Sequence, residues 1–470
     1  MSQTPIPSAH PESYLDRFNR WLQESIMVKL FSIAFLVLVL LLPASWIQDL
    51  MYERQQRADS VVGEISDKWS RSQTVSGPVL VIPFKQQEII DNGKDGKTIR
   101  EVITNAFFLP EQLDINGTVD PEVRHRGIFD AVVYQSSLQI KSVFPKPDFQ
   151  RLSVKEENIL WEDAHLVFGI TDLRGMTENP IISANDDPLS SEPSNNIGVM
   201  MGSMESVTGI TTPLHWKNAE SFQQAVNIKL SLKGSESLNF VPVGKTTAVK
   251  LSSPWNNPSF VGTFLPATHN ITEKNFDANW KVLHFNRPFS QQWTGDNEKL
   301  SGSDFGVSLR LPVDQYQQSI RTAKYGILMI LLTFIALFLV EITTKVRIHP
   351  FQYILIGAAL IIYYTLLLSI SEQFGYNLAY LIASVATVTL ISLYASTFLN
   401  RTRLTLLFST LLVIFYAFIF VIILQQDFSL LLGSVGLFLI VGILMYFSRK
   451  VKWYGDKKET VTPENRTLTE

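Results

Sequence analysis

Six uncharged, mostly apolar runs, at 30–47, 325–340, 351–370, 378–399, 404–424 and 428–447, constrain this chain more than any other feature. A helix rising ~1.5 Å per residue needs about 20 residues to cross a ~30 Å hydrocarbon core. Backbone N–H and C=O groups find no water there, so runs of this kind must be helical. The second run is short and ends at Glu341, so it borrows residues from each side. Pro43 near the end of the first run can kink that helix. A wholly soluble protein is excluded, although 18% charged residues and a net charge of -3 would suit one. The same net charge excludes a chain-wide basic surface, so nucleic acid is not an expected partner. Absence of cysteine removes disulfides, Cys-ligated metal and thiol catalysis.

Basic residues set the expected orientation. Arg17, Arg20 and Lys29 precede the first run, Lys345 and Arg347 follow the second, Arg401 and Arg403 follow the fourth, and six more occupy the tail from Arg449. The short loops 371–377 and 425–427 carry none. Both termini are therefore expected in the cytoplasm and the long segment after the first run outside it. Arg54, Arg57, Arg321 and Lys324 dissent at the ends of that segment, but long translocated domains obey the rule weakly. A cleaved signal peptide fits poorly, because the 18-residue run lies behind 29 residues and lacks an A-x-A site.

The expected organisation is a leader (1–29), an anchor helix (30–47), an exported body (48–324), a five-helix bundle (325–447) and a cytoplasmic tail (448–470). Val61, Val62, Ile65 and Trp69 recur at helical spacing, so a helix over about 49–69 extends the anchor. Beyond it the period becomes two. Val226, Ile228, Leu230 and Leu232 alternate with polar residues, as do Phe305, Val307, Leu309 and Leu311. Val132, Tyr134, Leu138 and Ile140 share one face against Gln135, Gln139 and Lys141. These patterns predict half-buried antiparallel strands. Asn92-Gly93 and Asn116-Gly117 are expected turns, and 176–213 a long loop or extended hairpin containing Met200, Met201 and Met204. Phe-Leu-Pro at 108–110 and 264–266 hints at a duplication, so one sandwich or two remain open. The fold class is an α+β membrane protein: six transmembrane helices plus a large exported all-β, sandwich-like domain between helices 1 and 2.

Catalytic signals fail. Gly244-Lys245-Thr246 lacks the upstream glycine of a P-loop, where Asn239 stands. No two of the seven histidines have metal-ligand spacing, and G-x-S-x-G is absent. Neither catalytic residues nor a metal or cofactor is expected. Asp172 and Arg174, two apart on an expected strand, suggest a structural ion pair. Glu341 and Glu372 close the second and third runs on opposite sides, where carboxylates can snorkel to the headgroups. No run holds an ionisable residue near its centre, which argues against ion-coupled transport. His349-Pro350 suits a helix start, and Ala379, Ala383 and Ala386 form a small-residue stripe for helix packing.

Trp255 with Pro258-Ser259-Phe260-Val261-Gly262-Thr263-Phe264-Leu265-Pro266, Asp314-Gln315-Tyr316, Thr322-Ala323-Lys324-Tyr325, His349-Pro350-Phe351-Gln352-Tyr353 and Ser371-Glu372 form a distinctive set of stretches. Together they resemble the CreD family of bacterial inner-membrane proteins. Ser76-Gly77-Pro78 and Asp172-Leu173-Arg174-Gly175 match as well, and the similarity spans about residues 25–455. The resemblance implies an inner-membrane location and links to envelope integrity, colicin tolerance and two-component control, with no established molecular activity. Candidate positions carried by those motifs and by the membrane boundary are Trp255, Pro258, Phe260, Gly262, Phe264, Pro266, Asp314, Tyr316, Tyr325, Glu341, His349, Pro350 and Glu372. The favoured expectation is a non-enzymatic envelope protein whose body binds an envelope protein or lipid partner while the bundle, set among membrane lipids, anchors or relays. Handling of a lipid or amphiphile is the alternative, and an envelope-polymer hydrolase the third.

Overall fold

Every uncharged run coincides with a helix, except that Tyr325 and Phe428 stand one residue before theirs. A computed structural model describes residues 26–91, 97–195, 208–295, 298–300, 302–309, 311, 315–344, 346, 348–399, 401–425 and 428–449. The helices are α1 (Ile26–Trp69), α2 (Gln315–Lys324), α3 (Gly326–Thr344), α4 (Pro350–Phe374), α5 (Tyr376–Leu399), α6 (Thr402–Leu424) and α7 (Ser429–Ser448). Five of them, α1 and α3 to α6, are long and apolar enough to cross a membrane; the described apolar stretch of α7, Leu431–Ile443, is shorter. Five spans rather than six thus stand on described residues. Pro43 lies inside α1 without ending it. Residues 1–25 of the leader, the tail beyond 449, Asp314, Asn92-Gly93 and Met200, Met201 and Met204 fall outside the described residues, while 26–29 already belong to the first helix.

Contacts divide the chain into two units, Met1–Arg57 with Asp314–Glu470, and Ala58–Val313. In the helical unit the sequence did not announce α2, whose Thr322 Oγ1 bonds Tyr376 Oη at 2.6 Å. On α5, Ala379, Ala383 and Thr387 are buried, whereas Ala386 is exposed.

The second unit is built of two sheets. One takes the order β13 (Pro258–Gly262), β17 (Phe305–Leu309), β11 (Ser237–Val241), β1 (Gln73–Asp91), β5 (His165–Ile170), β9 (Gly209–Pro213) and β8 (Glu192–Ser194). The far half of β1 forms a hairpin with β2 (Lys97–Phe108), which also pairs β16 (Gln292–Thr294). The other runs β14 (Thr268–Ile271), β15 (Phe276–Leu283), β12 (Thr246–Ser253), β3 (Gln112–Arg126), β4 (Phe129–Val143), β10 (Ala225–Ser235), β6 (Ile181–Ala184) and β7 (Asp187–Leu189). Val75, Phe168, Phe240 and Phe305 from the first sheet and Tyr134, Leu138, Ile228 and Trp280 from the second join one apolar cluster. One core means one sandwich, and the Phe-Leu-Pro repeat marks no second one.

Alternation is cleanest in β4 and β10, where Tyr134, Leu138, Ile140, Val226 and Ile228 face the core. Three expectations need correction. Antiparallel pairing is broken by two parallel pairs, β1 with β11 and β12 with β3. All five residues of β17 are buried, Gly306 and Ser308 included, because β17 lies between β13 and β11 and is covered on both faces. Asn116-Gly117 is no turn but the middle of β3. A Cβ on Gly117 would stand 2.6 Å from a Leu138 methyl and 2.8 Å from one of Leu251, so the glycine serves packing. Gly117→Val is expected to cost about 1–3 kcal/mol by overpacking, read from the unfolding midpoint. The real turn joins β6 to β7, with Asn185 and Asp186 at φ 46° and 72°, the left-handed conformation that tight hairpins demand.

Candidate functional site

In the helical unit, α1 has little apolar packing: Val37, Leu40 and Met51 are its buried apolar residues among those described. Polar clasps hold its two ends. Lys29 Nζ meets Glu341 Oε1 at 2.6 Å, and that carboxylate, 5% exposed, also accepts from Tyr353 Oη at 3.2 Å and Ile348 N at 3.4 Å. Arg54 Nε lies 3.8 Å from Glu372 Oε1, which accepts from Tyr316 Oη at 3.3 Å. Lys29 and Arg54 stand 25 positions apart on α1, roughly 37 Å at ~1.5 Å per residue. That exceeds a ~30 Å hydrocarbon core, so the two pairs can flank the slab without either charge entering it. Glu341 and Glu372 are thus each paired with a basic residue of the first helix. Between the clasps Gln48 Nε2 donates to Ala323 O at 3.2 Å, and Leu40 packs where a Cβ on Gly357 would stand.

His349 and Pro350 start α4 as their chemistry suggests. His349 Nδ1 accepts from Phe351 N at 3.2 Å, His349 N donates to Gln352 Oε1 at 2.9 Å, and proline takes the first turn. Tyr325, half-buried, sits at the joint of α2 and α3, its N bonded to Thr322 O at 3.1 Å. Sequence reasoning missed the tyrosines inside the spans. Tyr363 packs edge-on against Tyr364, Tyr380 and Tyr416, and Tyr380 Oη donates to Tyr416 O at 2.7 Å. Tyr363 Oη and Ser384 Oγ are buried near one another, and neither makes a well-formed hydrogen bond among the described residues. A hydroxyl amid apolar spans was the available signal; attention to ionisable groups passed over it.

The β unit gathers the motif aromatics at one edge. Phe260 on β13 meets His269, Phe276 and Trp280 at ring-centroid distances of 5.4, 6.1 and 5.6 Å. Phe264 packs edge-on against Phe305 at 5.9 Å, and its carbonyl accepts from Trp280 Nε1 at 3.2 Å. Trp255 Nε1 donates to Asn257 O, Pro258 opens β13, and Pro266 is half-buried beyond it. Gly262 adopts φ +92°, and a Cβ there would strike the Asp304 carbonyl. Gly262→Ala is expected to cost about 1–3 kcal/mol, measured by chemical denaturation. The arrangement closes the sandwich edge and brings together no nucleophile, base or ligand set. Among the described residues no three His, Asp or Glu side chains cluster as metal ligands.

Where α1 ends, a second polar cluster forms within the β unit. Gln73 is fully buried; its Nε2 reaches Ser70 Oγ at 2.7 Å, Asp172 O at 3.0 Å and Lys233 O at 3.4 Å, and its Oε1 accepts from Asp172 N at 3.2 Å. Ser235 Oγ donates to Ser70 O at 2.8 Å. Arg124 and Lys233 lie over the Trp69 ring at 4.8 and 5.1 Å. Asp172 and Arg174 pair as expected, at 2.8 Å, but on a short 3-10 turn that Asp172 caps, not on a strand. Burial pushes the Asp172 carboxyl up, yet hydrogen bonds and charge from Arg174 outweigh it and leave the pKa below the usual value. A depressed carboxylate pKa contributes stability above the unfolded value and loses it as pH falls through the folded one. Asp172→Asn is thus expected to remove part of the stability loss seen below about pH 4, compared by unfolding at pH 7 and pH 3. Arg287 also escaped notice. It is 6% exposed, bonds the Phe289 and Val243 carbonyls and Gln291, and stacks on Phe289 at 4.0 Å; burial brings its pKa down to about 10.

A profile of the family described as "Inner membrane protein CreD" matches residues 25–454. The chain belongs to the CreD family. Its relative in Escherichia coli (strain K12), "Inner membrane protein CreD", is 31% identical over 437 residues, which cover 92% of this chain and 95% of the relative. As a CreD-family protein it is an inner-membrane protein, in keeping with its apolar helices. Among solved structures, an M1 zinc metallopeptidase from Deinococcus radiodurans is 11% identical with a TM-score of 0.18, covering 37% of this chain and 38% of that one. A two-domain M1 zinc metallopeptidase is 10% identical with a TM-score of 0.19, covering 46% and 53%. Likeness at that level carries no argument about fold or chemistry.

Proposed function

We propose that this CreD-family protein supports the cell envelope without catalysing a reaction. In this reading α7 completes six crossings, both termini lie in the cytoplasm, and the β unit stands in the periplasm and binds an envelope partner. The carrying observation is α1, one uninterrupted helix whose first part pairs with Glu341 and Glu372 and whose last residue is followed directly by Ser70, itself bonded to Gln73 and Ser235. A helix fastened in both places suits an anchor or a relay. Affinity capture of the intact protein from crosslinked cells should recover a periplasmic or outer-membrane component; recovery of nothing above an untagged control contradicts the reading.

A second reading has its own support. In hydrocarbon an unsatisfied hydroxyl is costly, and Tyr363 Oη with Ser384 Oγ would welcome the polar end of an amphiphile. Stoichiometric lipid co-purifying with the wild type, and lost from Tyr363→Phe/Ser384→Ala, would favour lipid handling; equal lipid in both would dispose of it.

A further inference from the structure

The outer face of the eight-stranded sheet holds a groove of about 450 Å³ that no motif or comparison assigns. Strand register places Asn279, Lys250, Asn116, Gln139 and Lys229 side by side on β15, β12, β3, β4 and β10. The next row brings Asp277, Ser252, Thr118 and Ser137 abreast. Strands stand ~4.8 Å apart, so the part of the row that lines the groove, from Asn279 to Gln139 over four strands, is about 14 Å long. Gly117 and Leu251 reach the floor between these rows.

A solvated sheet face is polar by default, but three features set this one apart. It is concave, with a volume in the range of small-ligand sites. Its centre is amide and hydroxyl, with one carboxylate and one lysine in the lining. Among the described residues, Asn116, Thr118, Ser137, Gln139, Lys250 and Asp277 make no side-chain hydrogen bond or ion pair, although Lys250 and Asp277 line the same groove.

We infer that this groove binds a neutral glycan chain. Asn, Gln, Ser and Thr both donate and accept, as sugar hydroxyls do, so rows of them satisfy a polyol along its length. A lipid tail would find little apolar floor, and a bare anion would meet Asp277. A polypeptide adding itself as a strand needs a sheet edge, whereas Asn116 and Gln139 sit on interior strands. The inference rests on the envelope reading and names the chemistry of its partner.

The intact protein, in lipid nanodiscs or a detergent without a sugar headgroup, is titrated with a β-1,4-linked N-acetylglucosamine tetramer and with maltotetraose, followed by saturation-transfer NMR. Saturable binding of at least one, with Kd under about 1 mM, is expected. Asn116→Ala/Gln139→Ala should weaken it about tenfold or more through lost hydrogen bonds, and Ser137→Trp should block the groove independently. Lys281→Ala, on the same sheet outside the groove, should leave affinity unchanged. No saturable binding of either sugar, or binding indifferent to both groove variants, overturns the inference. So does a photocrosslinker at position 139 that captures a protein in cells. The sugar titration does not depend on which side of the membrane the β unit occupies, so its failure is distinguishable from failure of the envelope reading.

Discussion

Replacing Lys29 with Met should cost about 3 kcal/mol, the lower end expected when one partner of a buried ion pair is removed. Glu341 would keep only Tyr353 Oη and Ile348 N while remaining 5% exposed. The discount to the lower end reflects Lys29, which is 31% exposed and partly screened. Removing both partners, in Lys29→Met/Glu341→Leu, should recover most of the loss, because an apolar pair carries no desolvation cost. The double-mutant cycle, read from unfolding in mixed micelles, should show a coupling of about 1–3 kcal/mol. Additive single losses would mean that the clasp does not hold α1. The effect should be large because so few apolar residues of α1 are buried to compensate.

Gln73→Leu should cost about 3 kcal/mol or more, since it strands several buried groups that each cost about 1–3 kcal/mol unpaired. Ser70 Oγ, the Asp172 backbone and Lys233 O all lose a partner. The room for that side chain is made by Gly175 and Gly234, whose missing Cβ atoms would otherwise press on Gln73. Hydrogen exchange should therefore accelerate first in 66–73 and 172–175, ahead of the strands around Leu138 and Ile228. Uniform acceleration across the β unit would indicate general loosening instead of a local joint.

The long apolar helices were legible because lipid leaves the backbone no alternative, the polar α2 was not, and β4 and β10 were because one face of each is solvated and the other buried. Legibility failed where both faces are covered, as in β17, and where a glycine serves packing in place of a turn, as Gly117 does. It failed again for the partners of Glu341 and Glu372. Lys29 lies 312 residues from Glu341 in the chain, and no local pattern announces such a pairing. The Trp255–Pro266 stretch was visible as a motif, but its role in closing a sheet edge follows only from Phe305 and Trp280 arriving from distant strands.

Cysteine labelling tests the central claim most directly, because the chain has no cysteine of its own. With the outer membrane permeabilised, a single cysteine at Asn195 should react with an impermeant maleimide in whole cells, and one at Arg403 should react only after lysis. Protection at 195 together with labelling at 403 would contradict a periplasmic β unit.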